Sequence, residues 1–319
     1  MTKQISSQPK DLFQQKVAIV LPVYNMADFL PECLDSLLNQ THSNFTIFAV
    51  DDCSTDNSLS VLKKYKENDP RIVIIQKKVN EGVSEARNTA LRIIEESNLY
   101  SYVSFCDSDD IVAPSMLEEL LLAAKNEQAQ IAGCCFSRLN YKDKSSDKFE
   151  NYCSFGPETF IEQIFSLGRW ENIRGRGGYS CIRLFKFSLI CGIRFQKNKN
   201  INEDEIFCVE AATRASKITY IPRSLYFYRY RPDSLSRSKP FSRQLLQARI
   251  ACLPLTKNVS CYASVLNACA IARKLKNNGD LLDRETTKRL APLLKIGKTL
   301  KLITTKEYAR FLFFSILKS

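Results

Sequence analysis

Val17-Ala-Ile-Val-Leu-Pro-Val-Tyr-Asn25 is the stretch on which the fold turns. Its first seven residues are apolar and mostly β-branched. A run this short reads as a strand buried on both faces, as in parallel sheets. Asn25 to Ala27 then makes a turn. Asp28 to Asn39 follows with Phe29, Cys33, Leu34, Leu37 and Leu38 at helical spacing. The alternation repeats down the chain. Phe45–Val50 reads as a strand, Ser58–Glu67 as a helix, Arg71–Gln76 as a strand, Ser84–Glu96 as a helix and Tyr100–Cys106 as a fourth strand. Such alternation predicts an α/β fold, Rossmann-like, with a mostly parallel sheet flanked by helices and right-handed crossovers.

Beyond residue 114 the pattern predicts a helix over Ser115–Asn126 and a strand over Ala129–Phe136. An irregular polar loop (140–156), a helix (158–170) and a glycine-rich turn at Arg174–Gly178 come next. Ser180–Phe195 returns to apolar spacing, a helix runs from Glu203 to about Ala215, and short strands cover Ile218–Pro222 and Leu225–Tyr230. From about Pro240 the texture is helical. We therefore expect an N-terminal extension (1–16), an α/β domain (17–238) and a smaller helical, basic C-terminal region (239–319).

Charge follows the same division. The net charge of +12 resides almost wholly in residues 240–319, which hold 15 Lys/Arg against 4 Asp/Glu. That bias points to an anionic partner: membrane headgroups, nucleic acid or an acidic glycan. No apolar run reaches the length of a membrane span. Met1–Lys16 lacks a signal-like apolar core, so the 12 cysteines read as reduced, buried thiols. No Cys-x-x-Cys pair occurs, which argues against zinc and thioredoxin-type sites. His42 is the sole histidine, which excludes a multi-histidine metal centre.

Polar residues gather where the predicted strands end, the edge at which open α/β sheets bind ligands. The first strand runs into Tyr24-Asn25, the second into Asp51-Asp52, and the fourth into Asp107-Ser108-Asp109-Asp110. Carboxylates this close repel one another. A divalent cation removes that cost, and hard oxygen donors suit Mn2+ or Mg2+. The structural alternative is capping of the helix that follows. Asp52 could accept from a base N–H or a ribose hydroxyl, while Ser54, Thr55 or Asp56 caps the next helix. Tyr24 could stack on a base or belong to the core. Arg87 could meet phosphate or be a surface charge. Glu203-Asp204 could supply a general base or simply favour a helix N-terminus.

Taken together these residues resemble the inverting family 2 glycosyltransferases. The matching blocks are Val17–Asn25, Leu34–Thr41, Val50–Ser58, Asn80–Asn88 and Phe105–Asp110. Ile193–Phe195, Asn202–Phe207 and Tyr228–Ser236 are similar to later blocks of bacterial surface-glycan members, of the lipopolysaccharide or capsule type. The resemblance implies a GT-A fold, a Mn2+ or Mg2+ ion and a UDP-linked hexose or N-acetylhexosamine as nucleotide-sugar donor. It implies a glycan or lipid-linked saccharide as acceptor, and not nucleic acid. By position, Pro22 and Tyr24 would line the base pocket, Asp52 contact uracil, Arg87 the nucleotide side and Asp107 the ribose, with Ser108 in the donor site. Asp109, with Asp107, would hold the metal. Asp204 would be the base, with Glu203 beside it. Asp110 extends the acidic block and leaves open which carboxylate is the ligand.

Two rival classes make different demands. A nucleotidyltransferase needs an early glycine-rich phosphate loop, and no glycine precedes Gly82. A degenerate, non-catalytic nucleotide-sugar binder should lack a metal Asp, the uracil Asp or the base, and candidates for all three are present. In the tail, Leu290, Leu293, Leu294, Ile296, Leu300 and Ile303 share a helical face opposite Lys288, Lys295 and Lys298, interrupted by Arg289 and Pro292. That face either enters a membrane interface or packs on protein. The resulting expectation is a cytoplasmic enzyme with peripheral contact at the inner face of the cytoplasmic membrane.

Overall fold

The computed structural model describes residues 14–139, 152–164, 178–197, 203–231 and 284–299, with a few positions between 250 and 271. The elements are β1 (Val17–Val23), α1 (Leu30–Leu38), β2 (Phe45–Asp51), α2 (Ser58–Asn68), β3 (Ile72–Gln76), α3 (Val83–Ser97), β4 (Tyr102–Phe105), β5 (Ile111–Val112) and α4 (Met116–Asn126). They continue with β6 (Ile131–Arg138), β7 (Cys153–Phe155), α5 (Pro157–Ile164), β8 (Arg183–Lys186), α6 (Phe187–Ile190), α7 (Glu203–Arg214), β9 (Ile218–Tyr228) and α8 (Arg284–Thr299). The described residues fall into two compact units. One lies within Met1–Ser154, Cys181–Gly192 and Thr219–Arg229, the other within Phe155–Ser180, Ile193–Ile218 and Tyr230–Ser319.

The fold class is α/β, as the alternating pattern predicts. Strand order is β3-β2-β1-β4-β8-β6-β9-β5, with β7 pairing β9. β1 runs parallel to both β2 and β4, and β3 runs parallel to β2. All of β1 and β2 is buried, which accounts for their unbroken apolar sequences. Alternate residues of β1 (Val17, Ile19, Leu21, Val23) join α1 and α4 in one core. α3 packs against β1 and β2 with Ala86, Ala90, Leu91 and Ile94 buried.

Past β4 the sheet becomes mixed. β8 enters antiparallel between β4 and β6, and β5 pairs antiparallel with β9. Sequence pattern does not show β5, because two residues are too few for a period. The apolar segment 180–195 divides into β8 and α6, and β7 occupies the described end of the expected polar loop. The two short strands expected over 218–230 are one strand, continuous through the half-buried Pro222 beside the exposed Arg223. Of the helix expected over 158–170, residues beyond 164 lie outside the described set, as does most of Arg174–Gly178.

In α8, Leu290 and Leu294 are fully buried while Lys288, Lys295 and Lys298 are exposed. The apolar stripe is therefore covered by protein at these two positions, and the lysines face solvent. Leu300 and Ile303 lie outside the described residues. Among the described residues, no helix is long and apolar enough to cross a membrane.

His42 is buried, and its Nε2 lies 2.9 Å from the Gln15 carbonyl oxygen and 3.2 Å from that of Asn44. Burial holds its pKa below 6.5, outweighing those carbonyls. The folded protein thus keeps His42 neutral, whereas the unfolded chain takes up a proton as pH falls through about 6.5. Stability is therefore lost as pH drops from the ordinary histidine value toward the depressed one, by up to about 1.4 kcal/mol per pH unit. Thermal unfolding between pH 7.5 and 5.5 should show a flatter pH dependence for His42→Gln than for the natural chain.

Candidate active site

Parallel pairing aligns the carboxyl ends of β1, β2 and β4, since Val23 lies opposite Asp51 and Val20 opposite Phe105. The loops after β1 and β2 are bonded to each other. Asn25 N–H donates to Ser54 Oγ at 3.1 Å, Met26 N–H to Ser58 Oγ at 2.8 Å, and Ala27 N–H to Asp56 Oδ2 at 3.0 Å. Thr55 N–H returns a bond to Asn25 Oδ1 at 2.8 Å. Asn25 and Cys53 both take left-handed backbone, φ 53° and 63°, a conformation that costs a cysteine more than an asparagine. Pro22 is buried within β1, and Tyr24 stands 42% exposed at its end.

Asp52 is buried and densely bonded. Its Oδ1 accepts from Lys77 Nζ at 2.5 Å and from Glu81 N–H at 3.1 Å, and its Oδ2 accepts from Gly82 N–H at 2.7 Å. Lys77 also reaches Glu81 Oε2 at 3.0 Å. This carboxylate therefore draws the loop that starts α3 onto the end of β2. Gly82 supplies the left-handed turn there, φ 88°. Sequence reading missed Lys77, because a lone lysine after a strand carries no pattern.

Arg87, in the buried first turns of α3, donates from Nη2 to Asp107 Oδ1 at 2.8 Å. Asp107 opens the acidic turn after β4, which closes with Asp110 N–H on the Asp107 carbonyl at 3.1 Å. Asp110 is 1% exposed. Its Oδ2 accepts from the Tyr226 hydroxyl at 2.6 Å, and its Oδ1 accepts from Arg229 N–H at 2.7 Å. Burial pushes its carboxyl well above the usual range, with Asp107 and Asp109 adding to the effect. Asp110 is thereby committed to the fold. Asp107 and Asp109 keep exposed surface and are the pair in this turn that could hold a cation. Ser108 between them is buried.

Arg229 ties the turn to α1. Its Nε–H donates to the Asp109 carbonyl at 2.8 Å, its Nη2 pairs with Glu32, and its guanidinium lies 5.2 Å from the Phe29 ring centroid. Cys33 and Cys106, sulfurs 3.9 Å apart, both approach the Asp107 carbonyl at 3.5 Å.

Glu203 and Asp204 lie in the second unit, in the first turn of α7 as predicted. Asp204 Oδ1 accepts from Ser180 Oγ at 3.0 Å and Oδ2 from Ser180 N–H at 3.3 Å. Glu203 is buried. Gly178 is forced by close approach, since a Cβ there would lie 2.5 Å from Glu205 Cα. The first unit thus gathers Tyr24, Asp52, Arg87, Asp107 and Asp109 around aligned strand ends, and the second carries Asp204 with Ser180.

A family model described as glycosyl transferase family 2 matches residues 18–192. Glycosyltransferase GlyA of Streptococcus pneumoniae is 31% identical over 273 residues, covering 80% of this chain and 38% of that protein. The poly(ribitol-phosphate) beta-glucosyltransferase of Bacillus spizizenii is 32% identical over 223 residues, covering 68% of this chain and 33% of that protein. The match therefore spans less than two fifths of the length of either relative. Among solved structures, residues 1–349 of Staphylococcus aureus TarS in complex with UDP align with a TM-score of 0.67 at 17% identity, over 94% of this chain and 89% of that one.

The Lys77–Asp52 pair is nearly dry, with side chains 8% and 4% exposed. Removing one partner of such a pair strands the other, at about 3–5 kcal/mol. Lys77→Met should lower unfolding free energy by that order in urea titrations. Adding Asp52→Asn should restore part of it, giving a non-additive double-mutant cycle.

Proposed function

The chain belongs to glycosyl transferase family 2, and from that premise we propose that it moves a hexose or N-acetylhexosamine from UDP to an acceptor hydroxyl during synthesis of a bacterial surface glycan. The observation that carries the reading is the gathering of Asp52, Arg87, Asp107 and Asp109 at the aligned ends of parallel strands. The name of the Bacillus spizizenii relative supports transfer to a polymer, and UDP in the TarS complex supports a uridine nucleotide.

In this reading Pro22 and Tyr24 border the base. Asp52 already has three donors on about four acceptor positions, so it can take one further N–H, from uracil. Arg87 and Asp107, paired with each other, meet the nucleotide and ribose, with Ser108 alongside. The turn fits a hard divalent cation in its donor chemistry. Among the described residues no group of three or more His, Cys, Asp or Glu side chains is placed to hold a metal, so Asp107 and Asp109, both partly exposed, are the two hard oxygen donors that would hold Mg2+ or Mn2+. Bound there, the ion would neutralise charge developing on the leaving diphosphate.

The rest falls to the chain's own residues. Ser180 orients the Asp204 carboxylate by two hydrogen bonds. Asp204 accepts the acceptor's hydroxyl proton as that oxygen bonds to C1, and the C1–O electron pair leaves with UDP. A base of this kind is worth roughly 10²–10⁴-fold. One displacement inverts the anomeric centre, whereas two would retain it.

The reading extends to location: a cytoplasmic enzyme resting on the inner face of the membrane. The buried Leu290 and Leu294 direct that contact to the exposed Lys288, Lys295 and Lys298, so it should be electrostatic, about 1 kcal/mol per lysine near the surface.

Three measurements test this reading. With UDP-sugar, Mn2+ and acceptor, UDP release should be lost in both Asp109→Ala and Asp204→Asn. Calorimetry with UDP-sugar and Mn2+ should show weakened donor binding in Asp109→Ala alone. Collapse of donor binding in Asp204→Asn would remove it from the role of base, and full metal-stimulated turnover in Asp109→Ala would remove the cation from that carboxylate. Sedimentation with phosphatidylserine vesicles should show binding at 50 mM NaCl that disappears at roughly 500 mM, where the screening length falls to a few ångströms. Binding unchanged by salt would exclude the lysine contact.

A further inference from the structure

The acidic turn is held by a residue absent from every sequence motif considered above. Tyr226, on β9, is fully buried. Its hydroxyl donates to Asp110 Oδ2 at 2.6 Å and accepts from Asp107 N–H at 3.2 Å. One oxygen thus engages both ends of the four-residue turn, the backbone at its start and the side chain at its end. The Asp110 N–H bond to the Asp107 carbonyl closes the turn between these points. Arg229 N–H fills the other Asp110 oxygen, and Arg229 Nε–H holds the Asp109 carbonyl.

The hydroxyl's single proton is committed to the carboxylate and one lone pair to the amide, so its orientation is determined from both sides. With Asp110 consumed in this way, the backbone between it and Asp107 can place the two partly exposed carboxylates at a set separation. The residue that would otherwise compete as a third ligand is withdrawn into the core.

We propose that Tyr226 is the positioning residue of the acidic turn, its hydroxyl presetting Asp107 and Asp109 for a divalent cation while keeping Asp110 out of the ligand set. The inference rests on the cation reading given under Proposed function. Partners one step removed from a metal typically govern roughly 10–100-fold of its affinity, and the effect of the hydroxyl should fall in that range.

The test uses the full chain at saturating UDP, with Mn2+ titrated in and free Mn2+ counted by electron paramagnetic resonance. Tyr226→Phe keeps the ring and removes the oxygen. Tyr220→Phe, on the same strand, is the control: that buried hydroxyl bonds Cys135 Sγ at 3.2 Å. Mn2+ affinity roughly 10-fold weaker in Tyr226→Phe, with Tyr220→Phe binding as the natural chain does, supports the proposal. Unchanged affinity in Tyr226→Phe overturns it. Equal weakening in both variants also overturns it, because the loss would then be that of any buried hydroxyl.

Should circular dichroism show Tyr226→Phe unfolded, Asp110→Asn takes its place. It leaves one acceptor oxygen where the Tyr226 hydroxyl and Arg229 N–H each need one, so the same weakening is expected, and natural affinity there overturns the proposal. Absence of Mn2+ uptake by the natural chain would sink the cation reading itself, and this inference with it.

Discussion

The parallel register of β1 between β2 and β4 is the constraint on which the site depends. A central strand buried on both faces satisfies its backbone through its neighbours and has no freedom to slip, since a one-residue shift would turn Ile19 and Leu21 away from α1 and α4. Three strand ends are thereby locked to one edge. The loops leaving them inherit fixed origins, and the Asn25–Ser54 and Met26–Ser58 bonds then join the first two loops to each other.

Once the ends are fixed, the difficulty is negative charge. Asp51, Asp52, Asp107, Asp109 and Asp110 lie at the ends of β2 and β4. Four of them are compensated in different ways. Asp52 takes a buried lysine and two amides, Asp107 takes the Arg87 guanidinium, and Asp110 is withdrawn beneath Tyr226 and pushed toward its neutral form. Asp51 accepts weakly from Ser54 N–H at 3.4 Å. The compensating groups come from the segment between β3 and α3, from α3 and from β9, so the electrostatics also bind the sheet's later strands to its first ones.

Much of this was legible in the chain. Seven apolar residues at β1 and their repeats announced parallel strands, because burial on both faces leaves no polar position. The acidic residues at strand ends announced a candidate site, and the start of α7 was visible in Glu203-Asp204-Glu205. The compensating partners were not legible. Lys77, Ser180, Tyr226 and Arg229 are ordinary residues in ordinary segments, separated from the groups they hold by 25, 24, 116 and 119 positions along the chain.

Local sequence therefore determined most of the strands and helices between residues 17 and 138, the α/β class, and which strand ends carry acidic residues, since period, burial and turn residues act over a few positions. Tertiary structure alone decided that β8 enters antiparallel beside β4, that 218–228 is one strand, and that Asp110 is a structural carboxylate while Asp107 and Asp109 are partly exposed. It also decided that Leu290 and Leu294 are covered. Each of those outcomes depends on what lies across space from a residue. Desolvation and hydrogen bonding respond to that neighbourhood and not to neighbours in the chain.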